Sequence, residues 1–362
     1  MSIIKAKIAG TVIMYEAYSR QEPGVNRGDI GYIMSRSELT EFFLNPRRWK
    51  DGYGLDKKDT KATEWGSLID CLLTAPKTFE LRYAVSPETY FSEKMKCPKC
   101  GSITDAKSCR ACKCDREKFT VEKPWDAKAS QCSEWEEEQE KTGHIVIKSE
   151  IKKQADLAVA AITDNELTDE LFKESDCQVM IVGFWHDEAT GIEVPIRCLI
   201  DLVPPVTGQF GKWVCDFKTA RDGNPAKWGR VVDDEGYDVQ AALIMDLYKA
   251  AIPNEDRVDF VHLVQENVFP FHVVSPPPAL SAEFLEWGRA KYKAALRYYC
   301  QCIATGVWPS YKPVGDLFGK TQIIDPNTVW KYRETAGMVD GPQPQTPYRE
   351  EPETTYKPDV GN

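Results

Sequence analysis

Histidine is scarce, with four in 362 residues. His144, His186, His262 and His272 are widely scattered. His262 and His272 lie in apolar runs and read as core or rim residues, so none is given a catalytic role. No apolar stretch approaches the ~18 residues of a membrane span, so no membrane association is expected. The opening segment MSIIKAKIAGTVIMYEAYSR has apolar runs too short and too often broken for a secretory signal. No Ser-His-Asp signature, P-loop or dinucleotide fingerprint is present, which removes helicase activity from this chain. Positive charge is in deficit: 46 Lys and Arg against 56 Asp and Glu give a net charge of −10. That argues against a broadly basic nucleic-acid coat, but a local basic channel needs few residues. Hydrophobic residues make up 42% and charged residues 28%, so a core can form and global disorder is excluded. At about 150 residues per domain, the length allows two domains or one large domain with insertions.

Cysteine is plentiful. Twelve could suggest a disulfide scaffold, yet a chain of this length does not need one. Five fall close together: Cys97, Cys100, Cys109, Cys112 and Cys114. The first four read C-x2-C-x8-C-x2-C, and Cys97-Pro98-Lys99-Cys100-Gly101 is a knuckle turn. Two such turns supply four soft ligands, which suit a structural tetrahedral Zn²⁺. A reduced cysteine-rich loop and an iron–sulfur cluster are the alternatives. Cys114 is a spare thiol that could replace Cys112. The other seven sit mostly among apolar neighbours, as small core residues of a reducing cytoplasm do.

Ser35 and Glu38 have capping-box spacing, and a helix is expected from there to Asn45. Arg47 and Arg48 cluster beyond Pro46 as candidate contacts to a DNA backbone; a solvated helix end is the other reading. A charged linker follows, then a helix over 64–74 that stops before Pro76. Residues 92–130 are polar and Lys-rich and read as an insertion. Residues 145–173 look helical, with Ile151, Ala155, Leu157, Val159 and Ile162 as candidate buried positions. Runs 177–186, 192–203 and 212–220 read as strands, residues 236–251 as a helix, 259–275 as two further strands and 280–305 as a long helix. The expected class is α/β, with a mixed central sheet flanked by helices and a small four-cysteine zinc-binding insertion.

Asp216-Phe217-Lys218 lies on the third strand. Period-2 geometry puts Val214, Asp216 and Lys218 on one face, and Trp213, Cys215 and Phe217 on the other. Asp201 ends the preceding strand, so the two carboxylates can converge at one sheet edge. Such a pair asks for a cation, and oxygen ligands suit Mg²⁺ or Mn²⁺. D-x-K occurs five times in the chain, so the tripeptide alone says nothing. Only this copy lies in an apolar strand that follows a strand ending in aspartate. A surface ion pair is the other reading.

I-D-L-V, a loop, then V-C-D-F-K-T-A resembles the core motif of PD-(D/E)XK nucleases, whose restriction-endonuclease-like core the fold would share. More of the chain resembles the RecE-like (exonuclease VIII-like) phage exonucleases. Ser35-Arg36-Ser37-Glu38-Leu39 through Pro46 matches their S-x-S-x-L…P helix. Gly66 through Pro76 matches G-x-x-x-H-x-L-L-x-x-P, with Asp70 in place of the histidine. Tyr237 through Ala242 matches Y-x-x-Q-A-A, and Val264-Gln265-Glu266 matches V-Q-E. The family glutamate on the first core strand has its nearest match in Gln178, which brings no charge. Asp70 would restore the charge that Gln178 lacks.

The resemblance implies metal-dependent phosphodiester hydrolysis. Asp201 and Asp216 would hold Mg²⁺ or Mn²⁺, with the Phe217 carbonyl, Asp70 and the Gln178 amide as further ligands. Lys218 would orient water or neutralise the transition state, and Gln240 and Tyr237, three apart on one helix face, would bond a phosphate or the metal-bound water. Arg197 is a further candidate for a phosphate, or a structural ion pair. The implied partners are double-stranded DNA ends, a single-strand annealing protein and further copies in a homo-oligomeric ring. The implied product is a 3′ single-stranded tail for phage-type recombination. The implied location is the cytoplasm of a bacterium or phage-infected host. Two competing readings stay open. One is another nuclease of the superfamily, CRISPR-adaptation-like or single-strand-specific with an iron–sulfur cluster. The other is a catalytically decayed zinc-ribbon DNA-binding protein. The expected organisation is a helical part over 1–91, the zinc-knuckle insertion at 92–130, the nuclease core at 131–310 and an extension at 311–362 whose last stretch, 341–362, is disordered.

Overall fold

The computed structural model describes residues 2–10, 21–52, 60–311 and the pairs 317–318 and 321–322. The expected disordered tail, 341–362, lies outside the described residues, as does most of the charged linker. The elements run β1 (Ser2–Gly10), α1 (Arg36–Leu44), α2 (Pro46–Asp51), α3 (Lys61–Thr74), α4 (Phe79–Arg82) and β2 (Tyr83–Val85). Then come β3 (Thr89–Lys96), β4 (Ile103–Thr104), β5 (Glu117–Pro124), α5 (Ser130–Lys141), β6 (Ile145–Ile147), α6 (Ser149–Thr163) and α7 (Glu166–Glu174). The rest is β7 (Asp176–His186), β8 (Glu193–Val203), β9 (Trp213–Ala220), α8 (Pro225–Asp234), α9 (Tyr237–Ala251), β10 (Asp259–Glu266), α10 (Ala282–Thr305) and a short hairpin of β11 (Leu317–Phe318) and β12 (Thr321–Gln322).

The central sheet has five strands in the order β1-β7-β8-β9-β10. Its first three pairings are antiparallel, and β9 and β10 are parallel. The short turns after β7 and β8 force antiparallel returns, whereas α8 and α9 give the crossover a parallel pair needs. The sheet is therefore mixed, as the alternation of short and long connections predicts.

Each face of the sheet carries its own core. On one, Ile196, Ile200 and Val214 pack with Leu243 and Leu247 of α9 and with Tyr292 and Tyr299 of α10. On the other, Cys215, Phe217 and Leu263 pack with Leu68 and Ile69 of α3 and with Ala155, Ala158 and Ile162 of α6. The strand alternation at Val214, Cys215 and Phe217 thus sets which helix layer each residue meets. Trp49 is fully buried amid Tyr32, Phe42 and Tyr299, with rings edge-on at 5.4 to 5.6 Å. Ser35 caps α1 by accepting from the Glu38 amide, but the Glu38 carboxylate takes the Trp49 indole and the Tyr32 hydroxyl instead of closing the box.

Several sequence expectations shift. Ile151 and Leu157 are exposed on α6, because Ala155, Ala158 and Ile162 form its buried stripe. The helical stretch expected over 145–173 opens with strand β6, and Asn165 caps a separate helix, α7. The second strand expected within 259–275 is absent among the described residues. Phe269–Pro270 and Ser275–Pro276 are cis, and only isolated bridges tie this segment to β10. Edge strand β1 has no counterpart among the sequence expectations.

Candidate active site

The site forms where β7, β8 and β9 meet α3 and the start of α9. On β8, Ile196, Cys198 and Ile200 all face the first core, yet Leu202 faces the second. The alternation breaks at Asp201. Opposite it on β7, Gln178 has φ 54°, a left-handed conformation that non-glycine residues seldom adopt. β8 and β9 share a single registered pair, Leu202 with Cys215. The Phe217 amide beyond it donates to Asp201 Oδ2 at 2.8 Å. A kink in two neighbouring strands has re-aimed their side chains, as bulges near functional sites do.

Asp70 reaches this point from α3. Gly66, one turn earlier, lets the helix approach β9: a Cβ there would stand 3.2 Å from Thr219 Oγ1. Gln178 Nε2 donates to Asp70 Oδ1 at 3.1 Å and Oδ2 at 3.2 Å, and sits 3.5 Å from Asp201 Oδ1. Its amide hydrogens thus bridge two carboxylates. Thr74 Oγ1 donates to Asp70 Oδ1 at 3.2 Å.

Asp216 is almost fully buried. Gln240 Nε2, one turn into α9, donates to its Oδ1 at 2.7 Å. Its Oδ2 makes an ion pair with Lys218 Nζ yet has no partner in hydrogen-bond geometry. Lys218 Nζ lies 4.7 Å from the centre of the Tyr237 ring. The Arg36 guanidinium lies 5.7 Å from the same ring and donates to the Gly236 and Glu235 carbonyls.

Burial raises the Asp70 carboxyl to about 6. Burial, then the charges of Asp216 and Asp70, raise Asp201 well above the usual carboxylate range. Burial works against the Lys218 charge, but Asp216 and Asp201 outweigh it and raise its pKa. Three carboxylates against one lysine make a half-buried, oxygen-rich cluster with an excess of negative charge, a donor set that fits Mg²⁺ or Mn²⁺. The carboxylates stand apart, with Gln178 between Asp70 and Asp201 and Lys218 on Asp216.

The fold therefore brings together Asp70, Gln178, Asp201, Asp216, Phe217, Lys218, Tyr237 and Gln240. At Phe217 the amide, not the carbonyl, is tied to the cluster. At Gln178 the amide nitrogen, not the oxygen, faces the carboxylates. The named arginines stand differently. Arg47 is exposed on α2 and paired with Asp51 at 2.6 Å, with exposed Arg48 beside it. Arg197 lies four residues before Asp201 on β8, opposite Val182. Sequence reasoning passes over Arg36, although it sits inside the S-x-S motif. Only the tertiary fold brings it to Tyr237. His262 is fully buried beside Asp216 in the β9–β10 register, accepts from the Trp228 indole at 3.0 Å, and is pushed down to about 4 by burial.

The cysteines form a separate site at the end of a three-stranded sheet, β4-β3-β5. Among the described residues, the group of metal-ligand side chains lying within 4.8 Å of one another is Cys97, Cys100, Cys109 and Cys112. Cys100 and Cys109 Sγ are 3.7 Å apart, against the ~3.8 Å edge of a tetrahedron with ~2.3 Å zinc–sulfur bonds. The thiols fit Zn²⁺. The backbone amide of Cys100, working against burial, holds the Cys97 thiol down to about 6. The two knuckles repeat every twelve residues. Cys97 N donates to Ser102 O and Gly101 N to Cys97 O; Cys109 N donates to Cys114 O and Lys113 N to Cys109 O. Cys114 therefore occupies the position that Ser102 fills in the first knuckle. Its Sγ lies 3.5 Å from Cys97 Sγ, outside the tetrad.

No curated protein matches the chain in sequence. Among solved structures, a proposed exonuclease of Eubacterium rectale aligns with a TM-score of 0.46 at 13% identity, covering 84% of this chain and 93% of its own. Rai1 of Scheffersomyces stipitis, solved with (3′-NADP)+ and calcium ion, aligns with a TM-score of 0.25 at 10% identity, covering 74% of this chain and 64% of its own. Among the described residues, no helix is long and apolar enough to cross a membrane. A family model described as a PDDEXK-like domain of unknown function (DUF3799) matches residues 44–316, three quarters of the sequence, and the chain belongs to that family.

Proposed function

We propose that this protein is a divalent-metal-dependent exonuclease that hydrolyses linear duplex DNA from its ends. The observation that carries the reading is the Asp216–Lys218 pair on β9, set against Asp201 and Asp70 in one half-buried cluster. Membership of a PDDEXK-like family supports hydrolysis of phosphodiester bonds. Restriction to duplex ends, 3′ tails as product, a ring of subunits and an annealing partner rest on the RecE-like motifs.

Asp70, Asp201 and Asp216 would hold the ion. When bound, the ion lowers the pKa of water and offsets charge on the scissile phosphate. Lys218, kept charged by Asp216 and Asp201, directs its ammonium at the attacking water or the phosphate oxygens. Gln240 fixes one Asp216 oxygen and leaves the other to Lys218. Tyr237 walls the lysine on one side, so the ammonium is oriented and partly shielded from bulk water. Zn²⁺ at the Cys97, Cys100, Cys109 and Cys112 thiols would staple the ribbon.

Digestion of linear and closed circular duplex with Mg²⁺ or Mn²⁺ tests the proposal. Loss of linear duplex alone, abolished by Asp216→Asn, is expected. Cleavage of circles would favour an endonuclease of the same superfamily. No cleavage of any DNA would favour the decayed zinc-ribbon reading.

A further inference from the structure

The cysteine ribbon has a charge unlike the rest of the chain. Residues 89–128 carry ten basic side chains against six acidic ones, a net +4 in a protein of −10. The imbalance is greatest around the knuckles. Residues 96–113 hold five cations and one acidic residue, Asp105, which is paired with Lys94. Lys96, Lys99, Lys107, Arg110 and Lys113 are exposed, and no ion pair to them is found among the described residues. Zinc on four thiolates would add −2 and leave this tip positive. The remainder of the chain sums to −14, and in its own basic stretch, residues 289–297, Arg289 is paired with Asp246 and Lys291 with Asp233 and Asp238.

Backbone conformation adds an independent observation. The first knuckle turns through Gly101 at φ 70°, the usual residue for a left-handed turn. The second turns through Lys113 at φ 50°, a conformation that disfavours any side chain bearing a Cβ. The strained position carries a lysine that projects into solvent without an acidic partner. Strain kept at an exposed cation points to use of that cation.

The arm springs from the body near the candidate site. It leaves the body just after α4 and β2, and Arg82 of α4 is close enough to Asp70 to act on its charge. β3 has eight residues, so at ~3.3 Å each it carries the tip about 26 Å from its root. Trp125, packed edge-on against Trp135 and bonded through its indole to Glu136, anchors the stem on α5.

We propose that the ribbon is an arm whose tip cations Lys96, Lys99, Lys107, Arg110 and Lys113 grip the phosphate backbone of duplex DNA away from the cleavage point. The proposal rests on the nuclease reading above. In an acidic protein, such an arm concentrates affinity in one place and leaves the rest of the surface unattractive to DNA.

The test is the salt dependence of binding to a fluorescent linear duplex, measured by anisotropy with Ca²⁺ in place of Mg²⁺. Lys107→Ala/Arg110→Ala/Lys113→Ala is compared with the full-length wild type, with zinc content and circular dichroism checking the fold. Each phosphate that is no longer neutralised flattens the log–log salt slope by about 0.9, so the slope should flatten by about 2.7 and affinity at 0.1 M salt fall up to about 500-fold. Should the triple variant lose zinc, Lys99→Gln/Lys107→Gln outside the second knuckle should flatten the slope by about 1.8. Lys141→Gln/Lys173→Gln/Lys212→Gln removes three paired surface lysines elsewhere and should leave the slope unchanged. An unchanged slope in the tip variants, or an equal change in the control, overturns the proposal. Cleavage by wild type with tip-independent binding rejects the arm alone; tip-dependent binding without cleavage rejects the nuclease reading alone.

Discussion

Replacing Gln178 by glutamate probes the carboxylate cluster most sharply. Gln178 Nε2 donates to both oxygens of Asp70 and approaches Asp201. Gln178→Glu puts an acceptor where a donor stood, about 3 Å from another carboxylate. With both ionised, at an effective dielectric of about 20, repulsion is about 5 kcal/mol. A proton limits the loss, and Asp70, raised to about 6, takes it more cheaply than a glutamate of pKa ~4.3: about 2 kcal/mol at pH 7.5 and almost none at pH 5.5. The neutral acid still donates one hydrogen bond. The variant should therefore melt about 4 °C lower than wild type at pH 7.5 and close to wild type at pH 5.5, at ~2 °C per kcal/mol. Adding 10 mM Mg²⁺ or Mn²⁺ should recover most of the deficit at pH 7.5, since a cation takes the place of the missing amide hydrogens. Scanning fluorimetry at both pH values, with and without metal, reads all four numbers. A deficit that ignores pH and metal alike would refute the reading of this pocket as a cation site.

Other perturbations follow from the same geometry. Asp70→Asn should weaken Mg²⁺ affinity at least about tenfold by calorimetry, and unchanged affinity with unchanged activity would sink the idea that Asp70 supplies the charge Gln178 lacks. Lys218→Met should lower kcat about 10²–10³-fold while far-ultraviolet dichroism stays native; near-normal turnover would remove Lys218 from the chemistry. Burial raises the folded pKa of Asp70 to about 6, so its protonated form favours folding. That contribution is complete below about 4 and lost as pH rises through about 6. The Mg²⁺-induced rise in Tm should accordingly be larger at pH 7.5 than at pH 5, and the opposite trend would contradict the burial argument. Cys112→Ser should lose bound zinc by elemental analysis, whereas Cys114→Ser should keep one zinc per chain, because Cys114 stands where the other knuckle has Ser102.

The strands of the candidate site were legible because burial on both faces leaves β7, β8 and β9 as apolar runs bounded by turn residues. Asp216 and Lys218 stood out against such a run, and their shared face follows from the two-residue period. The helix at Tyr237 was equally plain, since Val239, Leu243 and Leu247 keep its buried stripe. Strand β1 was hidden because its pairing with β7 shifts register twice, between Ile4 and Lys7 and between Ile8 and Gly10, which erases the alternation. The kink at Gln178 and Asp201 is a property of two strands together, so neither stretch signals it alone. Arg36 lay in view in the sequence, but its approach to Tyr237 spans 201 positions and belongs to the fold. The Phe269–Ser275 segment shows the reverse: its composition suits a strand, while the prolines at its ends leave only isolated bridges to β10.

The most direct measurement is digestion of a linear duplex labelled at either the 5′ or the 3′ end on one strand, with Mg²⁺ present and EDTA as control. Progressive shortening from one end in Mg²⁺ alone, lost in Lys218→Met, is the expected result. Full-length label after incubation with either Mg²⁺ or Mn²⁺, or cleavage that persists in EDTA, would contradict the assignment of Asp70, Asp201, Asp216 and Lys218 as a metal-dependent nuclease centre.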